Sequence, residues 1–179
     1  MRRTAVAVVT LVPLAGLTAG PAACRVEESQ PPGRGAAPID GVTLPPGYRD
    51  WPLVTVAREQ GKLDDDLRAV LGNDVALRAV RRGTLPYPDG TVMARVAWHY
   101  VSSPDDDRVL GDSVSHVAGA PKNGVRIMVK DPRKYLSSGG WGFAQFNDGK
   151  PAAESVQASC VGCHSAAKAR DFVFSRYAP

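Results

Sequence analysis

Two thiols and an imidazole stand together near the end of the 179-residue chain, in the run Cys160-Val161-Gly162-Cys163-His164. Cysteines three residues apart share one face of a helical turn, and a histidine four residues after the first rises on that same face. A C-x-x-C-H run attaches haem: the thiols form thioethers with the vinyl groups and the imidazole ligates iron. The residues therefore predict one haem c, covalently attached through Cys160 and Cys163, with His164 as the metal ligand. Two other chemistries use similar groups. A redox C-x-x-C follows a strand at the start of a βαβ unit, and no such alternation occurs here. Zinc needs four ligands, so His99 or His116 would have to join the three of the motif. An isolated histidine on a strand is more often a surface residue or a hydrogen-bonded core residue.

The start of the chain reads as export. Arg2 and Arg3 precede an apolar run from Ala5 to Ala19 that ends among Gly20, Ala22 and Ala23, the layout of a signal peptide over residues 1–23. The run is too short, and too interrupted by Pro13, for a span of roughly 20 apolar residues. A periplasmic location follows. Cys24 comes directly after the small residues, and two fates are open to it. Acylation would make the protein a tethered lipoprotein, although Pro21 stands where such signals usually carry Leu or Val. Otherwise the thiol leaves with the signal or stays unpaired. Residues 24–40 are rich in Pro, Gly, Ala, Ser and Glu and read as a disordered tether, leaving residues 41–179 as one folded domain. The formal charge of +4 falls to +2 without Arg2 and Arg3, and the remaining basic residues are scattered. Nucleic acid is set aside on that ground.

The elements that must position the motif are mostly strands. Trp51 to Ala57 and Leu67 to Leu71 read as short strands, and Glu59 to Asp66 as a polar link. Asn73 caps a helix whose apolar residues recur at Val75, Ala76, Ala79 and Val80 and which Gly83 stops. Thr91 to Val101 is the longest strand. Its residues Val92, Ala94, Val96, Trp98 and Tyr100 share the core side, while Thr91, Met93, Arg95, Ala97 and His99 face either solvent or a site. Ser102 to Asp112 reads as a loop with an acidic tip. Lys122-Asn123-Gly124 reads as a hairpin turn between strands 113–118 and 125–130. Trp141 to Phe146 is an aromatic strand, and Pro151 opens the helix that carries the motif.

A late haem motif on a β-patterned chain is unlike the small electron-transfer cytochromes, which attach haem early and take a later methionine. Fifteen residues follow His164 and none is methionine. It is also unlike the four-helix cytochromes c′. Leu44-Pro45-Pro46-Gly47-Tyr48-Arg49-Asp50-Trp51, Pro88 to Val92, Val129-Lys130-Asp131, Gly140-Trp141-Gly142-Phe143, the haem motif and Asp171 to Tyr177 together resemble the cytochrome P-460 family, which includes cytochrome c′-β. The resemblance implies an α+β fold: a mainly antiparallel β-sheet with flanking helices, a single c-type haem domain, often a homodimer. It implies His164 as proximal ligand and an open or weakly filled sixth position.

Cytochrome P-460 members oxidise hydroxylamine and would pass electrons to a partner cytochrome, whereas cytochromes c′-β bind nitric oxide. Small nitrogen oxides are the implied ligands or substrates. The hydroxylamine-oxidising members carry a lysine, joined covalently to haem, on the strand after the Asp-Gly-Thr-Val turn. This sequence has Arg95 there. Arginine stays protonated and is a poor nucleophile, so the same cross-link is not expected and an oxidoreductase activity on hydroxylamine is weakened. Arg95 is instead the candidate distal residue, able to donate hydrogen bonds to nitric oxide, nitrite or peroxide. Its other readings are a surface ion pair or a partner for a haem propionate. Met93, Met128 and His99 are candidate sixth ligands, and a filled sixth position would indicate simple electron transfer.

Overall fold

The computed structural model describes residues 40–61, 65–112 and 114–178. The expected signal peptide, Cys24 and all of the expected tether but Asp40 lie outside them. Among the described residues, six strands form one antiparallel sheet in chain order. They are β1 (Leu53–Glu59), β2 (Asp66–Gly72), β3 (Val92–Ser102), β4 (His116–Lys130), β5 (Trp141–Asn147) and β6 (Lys150–Pro151). Three helices flank them: α1 (Asp74–Arg82), α2 (Pro104–Leu110) and α3 (Glu154–His164). This is the α+β architecture expected, a mainly antiparallel sheet with flanking helices. No helix among the described residues is long and apolar enough to cross a membrane.

The helix between β2 and β3 forms where its caps dictate. The Asn73 carboxamide oxygen accepts from Ala76 N at 2.9 Å, and Gly83 closes the far end with φ 64°. The same Asn73 oxygen accepts from Val92 N at 3.2 Å, so one side chain both starts α1 and fixes the entry of β3.

Both faces of the sheet are covered over its central part, which decides what the alternation of β3 means there. On one face Ala94, Ile127, Ala144 and Phe146 pack under the lead-in residues Val42, Leu44, Tyr48 and Trp51. On the other, Val54, Val70, Met93, Trp141 and Phe143 pack with Ala76 and Ala79 of α1 and with Phe172 and Val173 near the C-terminus. Met93 and Ala97 are as buried as Ala94 and Val96 opposite them, so from Met93 to Ala97 the second face of β3 is no solvent face, whereas His99 and Tyr100 beyond it are exposed on both sides.

Three local expectations are corrected. First, Asn123-Gly124 makes no hairpin, because β4 runs unbroken through it. Val96 pairs with Val125 and Trp98 with Pro121, so β4 carries extra residues against β3, and the positive φ of Asn123 and Gly124 takes up that bulge. A Cβ on Gly124 would lie 2.2 Å from the Phe146 carbonyl oxygen, so this crossing requires glycine. Second, residues 104–110 are helix, not loop. Pro104 opens the first turn and Asp105, Asp106 and Asp107 complement its positive end. Third, Pro151 belongs to β6 and α3 starts at Glu154, because Ala152 N still donates to Gln145 O at 2.7 Å.

Candidate haem site

Helix α3 lies against β5, and its last turn brings Cys160, Cys163 and His164 to one cavity of about 260 Å³. The sheet supplies the opposite wall through two cross-strand rows. Met93 pairs with Met128, and Met128 with Phe143, making an apolar row. One pleat further on, Arg95 pairs with Arg126, and Arg126 with Gln145, making a polar row. Side chains two apart on a strand share a face, so antiparallel registry alone sets both rows toward α3. The wall nearest the motif is thus soft and apolar, and cationic groups stand beyond it.

The polar row is held from β2. Asp66, wholly buried, accepts from Arg68 Nε at 2.7 Å with one oxygen and from Arg95 Nη2 with the other. Arg68 also pairs with Glu59. Arg126 Nε donates to Gln145 Oε1 at 3.0 Å. Of the readings open for Arg95, the structure shows an ion pair, and that pair is in the cavity wall with only 12 % of the side chain exposed.

The His164 ring is oriented by the backbone. Its Nδ1 lies 2.7 Å from the Phe172 carbonyl oxygen. A carbonyl only accepts, so Nδ1 carries the proton and Nε2 keeps its lone pair. Phe143 and Phe174 sit against the ring at 4.9 and 5.2 Å between centroids. Burial lowers the histidine pKa below its ordinary value, the Phe172 bond offsets part of this, and Arg126 adds to the lowering. The imidazole is therefore neutral at pH 7, the form that binds metal. Burial likewise raises the Cys160 pKa, partly offset by Arg126. Both thiols are free.

Two thiols and a neutral imidazole on one apolar-walled cavity fit a c-type haem, whose ring is apolar and whose iron takes an imidazole nitrogen. A Cβ at Gly162 would meet nothing within 4 Å, so the motif itself presents an open surface. The family model for Cytochrome P460 matches residues 45–175. The chain belongs to the cytochrome P460 family. It is a haem cytochrome, and the family carries a c-type haem as its cofactor. No curated protein matches the chain.

In this P460 cytochrome the predicted site residues Cys160, Cys163, His164 and Arg95 all line the one cavity. Met93 and Met128 line it too, whereas His99 and His116 do not; His116 stacks on Tyr100 instead. Of the two readings open for the Arg95 face of β3, solvent or the lining of a cavity, the structure shows a cavity lining. Sequence reasoning passed over Asp66, assigned to a polar link, and Arg68 and Arg126. An acidic residue two positions before an arginine at a strand start was the available signal.

Proposed function

We propose that the protein holds one haem, covalently through Cys160 and Cys163 and ligated by His164, and uses it to bind small nitrogen oxides or change their redox state. The observation that carries this reading is the Asp66-anchored guanidinium of Arg95 in the same cavity as the haem motif. Bound haem supplies an iron centre that takes a small ligand and exchanges single electrons with it. The chain's own contribution is to position and polarise. Phe143, Met93 and Met128 exclude water, and Arg95 offers a fixed cationic donor to an anionic or polarised ligand. Because Asp66 grips one terminal nitrogen, the guanidinium is oriented before any ligand arrives. An arginine at this point cannot form the lysine-type bond to haem, which favours reversible capture of nitric oxide or nitrite over hydroxylamine oxidation.

Replacing Arg95 by leucine tests the reading. A hydrogen bond to a charged group contributes about 1.5–3 kcal/mol, and Asp66 already neutralises part of this one. Nitrite should therefore bind roughly 10-fold more weakly, while binding of neutral nitric oxide changes less. Equal nitrite affinity in both proteins, by spectral titration of the ferric form, would remove Arg95 from the role.

The signal-like segment over residues 1–23 supports an exported, periplasmic protein, in which Cys24 would be acylated or left unpaired. There a redox partner cytochrome would exchange electrons with the haem. Pairing of two copies, as is common in the family, completes the proposal.

A further inference from the structure

The acceptor that orients His164 belongs to an unusual piece of backbone. Asp171 and Phe172 both occupy the left-handed region, with φ 51° and 65°, where residues with side chains are uncommon. They close a short 3-10 helix, Asp171 N donating to Lys168 O and Phe172 N to Ala167 O, each at 3.0 Å, and so present the Phe172 carbonyl to His164 Nδ1. Lys130, at the end of β4 and only 4 % exposed, grips the side chain of the cap residue Asp171. It donates to both oxygens of the Asp171 carboxylate, at 2.7 and 2.8 Å, and to Gly139 O at 3.0 Å. Tyr87 N adds a bond to Asp171 Oδ2 at 2.8 Å. The Phe172 ring lies so close over Gly139 that a Cβ there would come within 2.1 Å of it. Lys130, Tyr87 and Gly139 thus all bear on Asp171 and Phe172, the two residues whose backbone presents that carbonyl.

We propose that the buried Lys130–Asp171 pair, with Gly139 as its second anchor, positions the Phe172 carbonyl and so sets how strongly His164 donates to iron. The inference rests on His164 being the proximal ligand. A carbonyl held firmly on Nδ1–H gives the imidazole more anionic character, strengthens its bond to iron and favours the ferric state. Lys130 and Asp171 are positioning residues, for neither lines the haem cavity. A pair that merely stabilised the fold would leave the iron unaffected.

The test uses the reduced and oxidised holoprotein of wild type, Asp171→Asn and Asp171→Glu. Asparagine keeps the shape but loses the charge that fixes Lys130, whereas glutamate keeps the charge. Asp171→Asn should lower the frequency of the ferrous iron–histidine stretching band and raise the reduction potential, and Asp171→Glu should return both toward wild type. An unchanged band and potential in Asp171→Asn, with stability reduced, would overturn the proposal. A wild-type protein with no iron–histidine band would instead overturn the ligand assignment beneath it. Should the asparagine variant not fold, the wild type decides. The hyperfine-shifted Nδ1 proton of His164 in the ferrous protein should exchange with heavy water as slowly as the core amides of β5. Exchange within the mixing time would overturn the proposal.

Discussion

Replacing Cys160 and Cys163 together by serine should turn a protein that keeps its haem through acid extraction into one that gives up all of it. Serine is close in size to cysteine but does not form the thioether, so the variant is left with one metal–imidazole bond and the apolar contacts of Met93, Met128 and Phe143. Acid protonates His164 once the fold opens and breaks that bond, whereas a thioether survives. Each single variant should keep haem through its remaining cysteine, because the two thiols lie one helical turn apart and bond independently. The measurement is the mass of the extracted polypeptide. A double variant that still carries haem after extraction would show that the motif is not the attachment point.

Asp66→Ala should destabilise the protein by about 3 kcal/mol. The carboxylate is wholly buried between Arg68 and Arg95, whose side chains are 16 % and 12 % exposed. Removing it leaves two half-buried guanidinium groups facing each other's charge in a medium that screens them poorly. The surface pair Arg133–Asp89, at 3.4 Å with 87 % and 52 % exposure, is the internal control. Asp89→Ala should change stability by less than about 0.5 kcal/mol. Denaturant midpoints of the holoproteins give both numbers. Equal effects would mean that the Asp66 cluster is solvated like any surface pair, and Arg95 would lose its claim to be pre-oriented.

What could be read from the sequence divides along the range of the interactions involved. Asn73 and Gly83 bound α1 because each cap is satisfied within a few residues, and the C-x-x-C-H motif likewise states its chemistry within one helical turn. The alternation of β3 was legible for the same reason and placed Arg95 with Met93 on one face, though whether solvent or a cavity met that face was not. Where the answer depended on a partner far along the chain, local patterns misled. Asn123-Gly124 has the composition of a hairpin turn, yet β3 pairs with β4 both before and after it and so converts the pair into a bulge. Pro151 looked like a helix start, but its neighbour Ala152 is claimed by Gln145. Lys130 and Asp171 are 41 residues apart, and nothing local announces that they meet. Pro104 followed by three aspartates was a helix start that a reading of acidic residues as a solvated tip overlooked.

Cys160, Cys163 and His164 would hold the haem, and Arg95, in the wall of the same cavity, would meet a small ligand bound to it. Titration of the ferrous protein with nitric oxide, followed by its absorption spectrum, tests this arrangement most directly. A five-coordinate ferrous spectrum should convert fully on adding nitric oxide. A six-coordinate low-spin spectrum that nitric oxide leaves unchanged, with Met93 or Met128 filling the sixth position, would contradict the arrangement.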